Sequence, residues 1–364
     1  MLWLMRIKHA VTGLFAVALA MSAAAPAHAE DRVRLLGETT LPHAMDYEGT
    51  TVGGLSGIDF DPRTGRYALI SDDRSDRQPA RAYTADVPLS ADGLGPVRLT
   101  EVRTLLRPDG TPYPKGTVDP EDVRWDQWNG NLWWSSEGER AAQLIDPSIR
   151  AAHQDGSFAG ELPLAPNLAM RPETGPKQNE VLEGLTFAAG GGLVVGAMEG
   201  PLIEDGESPT TEHGALSRIT LQNRSGEVVR QVAYPLDEVF APSPTGGFSN
   251  NGVTAILADG QDPLRYLVME RSFVTGVGNS VRIYEVDLRG ATDVQDVESL
   301  AQEQVRPVRK TLLADLSEFG LSTVDNVEGM TWGPQVDGAR TLVLVSDDNF
   351  SPEQTTQVIA LALK

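Results

Sequence analysis

The sequence predicts an all-β chain folded as a β-propeller of five four-stranded blades, closed by its N-terminal strand. A two-part pattern repeated five times carries that prediction. A small or acidic residue, usually followed by Gly, opens an apolar stretch at Ser56-Gly57-Ile58, Glu121-Asp122-Val123, Glu183-Gly184-Leu185, Asn251-Gly252-Val253 and Glu328-Gly329-Met330. A second apolar run then ends on a carboxylate, at Asp72, Glu137, Glu199, Glu270 and Asp347. Each pair reads as a hairpin, and antiparallel pairing brings the start of one strand and the end of the next to the same edge. The two halves lie 16 residues apart in the first three repeats and 19 in the last two. A unit recurring every 62 to 77 residues along nearly the whole chain argues for one closed array rather than two domains.

The individual strands are runs of Val, Ile, Leu and Trp bounded by Gly, Pro, Asn and Asp. The first repeat reads as Gly57 to Asp61, Arg66 to Asp72, Arg81 to Val87 and Val97 to Leu106. The second reads as Val123 to Asp126, Asn131 to Glu137, Ala142 to Asp146 and Ser157 to Leu162. Leu185 to Ala188, Gly192 to Glu199, Leu216 to Leu221 and Glu227 to Tyr234 form the third. The fourth takes Val253 to Leu257, Tyr266 to Glu270, Val281 to Leu288 and Pro307 to Leu316. Only Met330 to Gly333, Thr341 to Asp347 and Gln357 to Leu363 remain for the fifth, while Val33 to Leu41 is a strand with no blade of its own. Pairing that strand with the last blade seals the ring and removes two open edges. A sixth blade, assembled from residues 289–327 and the N-terminus, is the competing arrangement. The long connections 107–120, 163–182, 200–215, 235–250 and 271–280 fall on the rim where the inner strands start, which makes that rim the working face.

Residues 1–29 stand apart from residues 30–364, the propeller domain. Arg6 and Lys8 precede an apolar run from Ala10 to Ala25, and Ala27-His28-Ala29 has the small-x-small form of a signal-peptidase site. Export with cleavage before Glu30 is expected, to the periplasm or the medium. A retained anchor is the alternative, but the run is shorter than the roughly 20 residues a spanning helix needs. The formal charge is −21, and losing Arg6 and Lys8 makes it two units more negative. Such a surface repels phosphate backbones and excludes a general nucleic-acid binder. There is no cysteine, so an exported chain of this kind relies on packing, closure or bound metal.

Nucleophile motifs are scarce. No serine sits in a Gly-x-Ser-x-Gly elbow, and His43, His153 and His213 show no zinc-motif spacing. A dispersed Ser-His-Asp triad would have Ser56 as its nucleophile. Carboxylates are plentiful instead. Glu121, Asp122, Glu183, Asn251 and Glu328 at strand starts, with Asp72, Glu137 and Asp347 at strand ends, form an oxygen-only ligand set that suits Ca²⁺ far better than zinc. The alternative role for each is to cap free backbone N–H groups where the strands splay. For the whole set like charge decides, because several carboxylates near one axis need a cation or raised pKa values. Arg74 and Arg271 follow strand-ending acids and would hold an anionic group by forked contacts, or else neutralise those acids.

The segments Gly54-Leu55-Ser56-Gly57-Ile58, Pro120-Glu121-Asp122-Val123, Leu182-Glu183-Gly184-Leu185 and Val327-Glu328-Gly329-Met330, with Ser346-Asp347-Asp348-Asn349, resemble the phytase-like family of exported bacterial proteins. The resemblance covers residues 33 to 363. It implies a β-propeller, export, and hydrolysis of phosphoesters or esters of the kind described as esterase-like activity of phytase. Propeller phytases are calcium enzymes with basic phosphate pockets, and the few cations on this rim weigh against multiply phosphorylated substrates. The expected function is therefore hydrolysis of a small phosphoester or ester, with a calcium ion on the acidic ring and Glu199 or Glu270 as proton acceptor. A lactonase-type propeller hydrolase and a non-catalytic binding module with structural calcium are the alternatives. The expected partner is a small molecule, with no nucleic acid and no membrane after signal cleavage.

Overall fold

The computed structural model describes residues 32–364 apart from Gln261, and the leader expected at residues 1–29 lies outside the described residues. Five four-stranded antiparallel sheets stand around one axis. Blade one comprises Leu55–Asp61, Arg66–Ser71, Arg81–Asp86 and Arg98–Thr104, from the axis outward. Blade two runs Pro120–Trp125, Leu132–Ser136, Ser148–Ala152 and Phe158–Leu162, and blade three Leu182–Ala188, Leu193–Met198, Ala215–Asn223 and Val228–Leu236. Blade four is Ser249–Ala258, Arg265–Val274, Gly278–Asp287 and Arg309–Asp315. Asn326–Trp332, Arg340–Asp347 and Gln357–Leu363 form blade five, and its outer strand is Val33–Thr40. The N-terminal strand pairs with the last strand from Val33 opposite Leu363 to Thr40 opposite Gln357, which is the expected closure. Five blades are formed rather than six. Residues 289–308 make an irregular connection whose Val294 and Leu300 pack in a small satellite cluster with Ala233.

Two strand expectations are corrected. Ala142 to Asp146 is not the third strand of blade two, because Glu139 accepts the N–H groups of Ala142 and Gln143 and turns the chain there. The strand follows at Ser148–Ala152. Residues 271–280 are not a loop, since both strands of that hairpin run on to a turn at Thr275 to Val277.

All five inner strands carry the same irregularity. The register against the second strand slips by one residue after Leu55, Pro120, Leu182, Val253 and Val327. This is a β-bulge, with an extra residue on the inner strand and a local bend. Gly follows the bulge in blades one, three and five, where neighbouring inner strands nearly touch. A Cβ on Gly57 would sit 2.7 Å from backbone atoms of Glu121 and Asp122, and one on Gly184 would sit 2.8 Å from the Ile256 nitrogen. Two residues past the bulge, Ile58, Val123, Leu185, Ile256 and Met330 each enter a different apolar cluster, one per interface between blades.

The backbone carbonyls of those five residues point to the axis and meet there on Arg124. Its Nε donates to Leu185 O at 2.6 Å and its Nη1 to Ile58 O at 2.6 Å and Val123 O at 3.0 Å. Nη2 donates to Met330 O at 3.1 Å and Ile256 O at 3.4 Å, and also to Asp122 Oδ2 at 2.8 Å. One buried guanidinium thus gathers a carbonyl from every blade. Arg124→Met keeps the bulk and removes the donors, so it should lower stability by about 3–5 kcal/mol in urea unfolding, the scale for orphaning buried polar partners. Arg124→Lys should recover little, because three donors on a flexible stem cannot span five carbonyls. A parent-like midpoint for the methionine variant would show that the ring closes without this hub. Deleting residues 30–41 should also lower the melting temperature sharply by opening two strand edges.

Candidate functional site

Above the Arg124 plug, on the rim where the inner strands start, lies a cavity of about 700 Å³. Nine carboxylates and two guanidiniums line it: Asp72, Asp119, Glu121, Glu137, Glu183, Glu199, Asp325, Glu328 and Asp347, with Arg74 and Arg271. The bulges explain why so many meet. Their register makes Glu121, Glu183 and Glu328 equivalent, with Ser56 and Thr254 in the same place in blades one and four. The residue just past the second-strand partner is Asp72, Glu137, Glu199, Arg271 and Asp347 in turn.

Blade four is therefore read differently from the sequence expectation. Val253 pairs with Glu270, so Thr254 rather than Asn251 takes the bulge, and Arg271 rather than Glu270 reaches the ring. Adjacent strand residues face opposite sides. Glu270 turns away from the cavity, where it accepts from Tyr234 Oη at 2.6 Å, Asn251 Nδ2 at 2.8 Å and the Asp237 N–H at 3.0 Å, and pairs with Lys310. Asn251 is spent in that same network. Asp122 is likewise outside the cavity, bonded to Arg124 and to the Leu185 N–H on the axis. Of the expected site residues, Asp72, Arg74, Glu121, Glu137, Glu183, Glu199, Arg271, Glu328 and Asp347 are brought together. Asp119, Asp325 and Asn326 were not anticipated. Asp119 and Asn326 occupy the place just before the strand pair in blades two and five, a position that counting back from Pro120 and Val327 would have reached.

Ser56 receives no support as a nucleophile. Its Oγ is buried without a hydrogen-bond partner. His43 faces Asp348, His153 faces Asn131 and His213 lies against the Gly214 carbonyl.

Both guanidiniums are engaged by acids of the cavity. Arg74 Nε lies 3.3 Å from Asp119 Oδ2, and Arg271 Nη2 lies 3.2 Å from Glu328 Oε1 and 3.5 Å from Glu199 Oε1. Asn326 donates to Glu328 and Asp347, the Asn349 N–H to Asp347 and the Val181 N–H to Glu137. These contacts leave much of the charge unbalanced. Burial pushes Asp72 up to about 7, helped by Glu328, Asp73 and Asp348. Glu137 also rises to about 7, chiefly by burial. Burial holds Glu121 well above the usual carboxylate range, and Glu183, Asp119, Glu137 and Asp72 all push it further. Asp347 is raised by burial, Asp72 and Glu328. Burial opposes the charge on Arg271, but Glu328, Glu199 and Glu183 outweigh it and raise its pKa.

Two carboxylate trios are compact enough to hold a cation. Asp119, Glu121 and Glu137 form one, and Glu137, Glu183 and Glu199 the other, each offering one oxygen within 4.8 Å of its partners. Glu137 belongs to both. The donors are all oxygen, which fits a hard divalent ion.

Without metal, Asp72 and Glu137 bind protons in the folded state at pH values where the unfolded chain, with carboxylates near 4, has released them. Their contribution to metal-free stability is then fully present below about pH 4 and is lost as pH rises through about 7. Thermal melts in chelator should give a higher Tm near pH 5 than near pH 8, and a divalent cation should raise the alkaline value most. A chelated protein whose Tm rises over that interval would contradict this charge balance.

On the opposite rim, beneath Arg124, a second cavity of about 540 Å³ is walled by Phe60, Phe187 and Trp332 over Asp59 and Thr331. Among the described residues no helix is long and apolar enough to cross a membrane.

Among solved structures, the periplasmic gluconolactonase PpgL of Pseudomonas aeruginosa matches at 10% identity and a TM-score of 0.37, covering 85% of this chain and 86% of that one. An α-L-arabinofuranosidase from Lactobacillus brevis matches at 11% identity and a TM-score of 0.46, covering 84% and 90%. The gluconolactonase XC5397 of Xanthomonas campestris matches at 13% identity and a TM-score of 0.33, covering 92% and 95%. At such scores no property of theirs is carried to this chain. A comparison with curated proteins gives no match. The family model described as phytase-like, esterase-like activity of phytase, matches residues 50–350, a stretch that takes in the inner strands of all five blades, and the chain belongs to that family.

Proposed function

We propose that this chain is an exported, calcium-dependent hydrolase of a small ester. The observation that carries the reading is the convergence of nine carboxylates on one buried cavity whose two guanidiniums are already engaged by acids. Family membership supports ester hydrolysis, and the leader sequence supports export. Asp119, Glu121, Glu137, Glu183 and Glu199 are the residues that would hold the ion, so Glu199 is assigned to the ligand set. When bound, Ca²⁺ would supply polarisation of the scissile group and acidification of water. Asp72 and Asp347 line the same cavity and belong to neither trio, and they would accept the proton of the attacking water. Arg271 retains a buried Nε with no partner in the protein, a donor for an anionic group of the substrate. With so little free positive charge, a carboxyl ester, a lactone or a singly charged phosphoester suits the cavity better than a multiply phosphorylated one.

Purified protein assayed against phosphoesters, carboxyl esters and lactones, with Ca²⁺ and with chelator, tests the reading. Calcium at a hundredfold excess over Kd should add about 2.7 kcal/mol of stability. Glu137→Gln should abolish that response and lower kcat/KM by about 100-fold or more. Glu270→Gln should leave the calcium response intact. Calcium stabilisation without turnover on any substrate class would favour a binding module, and a Glu137→Gln variant with full calcium response would remove the metal from these trios.

A further inference from the structure

Blade four differs from the others at the acidic rim. Its two inner strands have ten residues each, against five to eight in the other blades. The surplus lies at one end. Residues 249–252 and 271–274 continue past the Val253–Glu270 pair, whereas the inner strands of blades one to three begin at the equivalent residue. Four extra residues carry the hairpin about 13 Å beyond the ring.

The strand period of two decides what this projection presents to the cavity. Arg271 and Phe273 share one face of the sheet with Asn250, which is paired to Phe273, and with Phe248 two residues before it. All four line the acidic cavity. The alternate residues Ser272 and Val274 are buried on the other side. Phe248 and Phe273 pack with ring centroids 6.3 Å apart. Phe248 is 67% exposed, more than any other large apolar side chain among the described residues. Its backbone is anchored, because its carbonyl accepts both the N–H and the hydroxyl of Thr275. An aromatic pair, one ring exposed and the other half-buried, on an anchored strand extension at the edge of a cavity otherwise lined by charged and amide side chains calls for an apolar occupant.

Resting on the hydrolase reading above, we infer that the substrate carries an apolar, preferably aryl, group that stacks on Phe248 and Phe273 while its ester or anionic head enters the acidic cavity. The wall makes Phe248 and Phe273 specificity-determining residues. They touch the part of the substrate that does not react, so their loss falls on binding.

Calorimetry with calcium present, using phenylphosphonate and methylphosphonate as probes, tests the wall independently of turnover. The phenyl probe should bind about tenfold more tightly, the scale of one aromatic contact with its buried area. Phe248→Ala should remove that preference and leave methylphosphonate unchanged, while Phe248→Trp should keep it; Phe248 is exposed, so neither change threatens the fold. Equal affinities, no binding of either probe, or a preference that survives Phe248→Ala together with Phe273→Ala would overturn the inference. Absence of turnover on every ester, with the phenyl preference intact, would instead overturn the hydrolase reading and leave the wall standing.

Discussion

A guanidinium has five N–H donors in a rigid plane, and this propeller has five blades. At Arg124 a carbonyl from the same position of each inner strand arrives at one buried side chain, whose Nη2 is shared with Asp122. Those carbonyls face the axis and have no partner in the sheets, so something at the centre must satisfy them. A hydrophobic plug could not, and a lysine has too few donors. The arrangement also blocks the channel, leaving an acidic cavity above and an aromatic-walled cavity below. Asp122 accepts from the same guanidinium, which explains why an acid that looks like a ring member in the sequence serves the hub.

The bulges tie that hub to the site. Each places an extra residue on the inner strand two positions before the axial carbonyl, and the bend turns that residue and its second-strand neighbour toward the rim. Repeating the device around a narrow ring concentrates whatever residue type occupies those places. Here the extra residue is a carboxylate in three blades and its second-strand neighbour in four, and burial then raises pKa values instead of leaving solvated anions. A protein with only packing in mind would fill these places with Ser and Thr, as blades one and four do at Ser56 and Thr254. The electrostatic cost of the acids is intelligible where a divalent cation offsets it.

Much of this was legible. The blade count, the closure by Val33 to Leu41, the rim and most of its acids followed from the spacing of Glu-Gly starts and acidic ends. The failures have one physical source. A repeat read by residue type assumes that the same type marks the same place, and in blade four the type changes. With Arg271 in the place of the carboxylate, residue type points instead to Glu270, one residue away and on the opposite face, and to Asn251, which is followed by Gly as Ser56, Glu183 and Glu328 are. Period-two geometry makes that single step a complete change of environment, from an acidic cavity to a network of Tyr234, Lys310 and Asn251. Asp119 and Asp325 escaped for a different reason, since they precede the strands and carry no apolar pattern of their own.

The exception in blade four is also where the ring stops being symmetric. Four blades supply negative charge through Asp72, Glu137, Glu199 and Asp347, and the fourth supplies Arg271, tied to Glu199 on one side and Glu328 on the other. That cation lies between the trio containing Glu199 and the acids of blade five, so the carboxylates are divided into a crowded half and a half held by Arg271, Asn326 and backbone N–H groups. A ring of five identical acids would bind a cation equally from all sides and offer a substrate no direction of entry. Replacing one acid by an arginine, and extending the same hairpin with Phe248 and Phe273, gives the cavity a charged side and an apolar side. Under the hydrolase reading proposed above, the blade that breaks the pattern would set the direction in which a substrate lies.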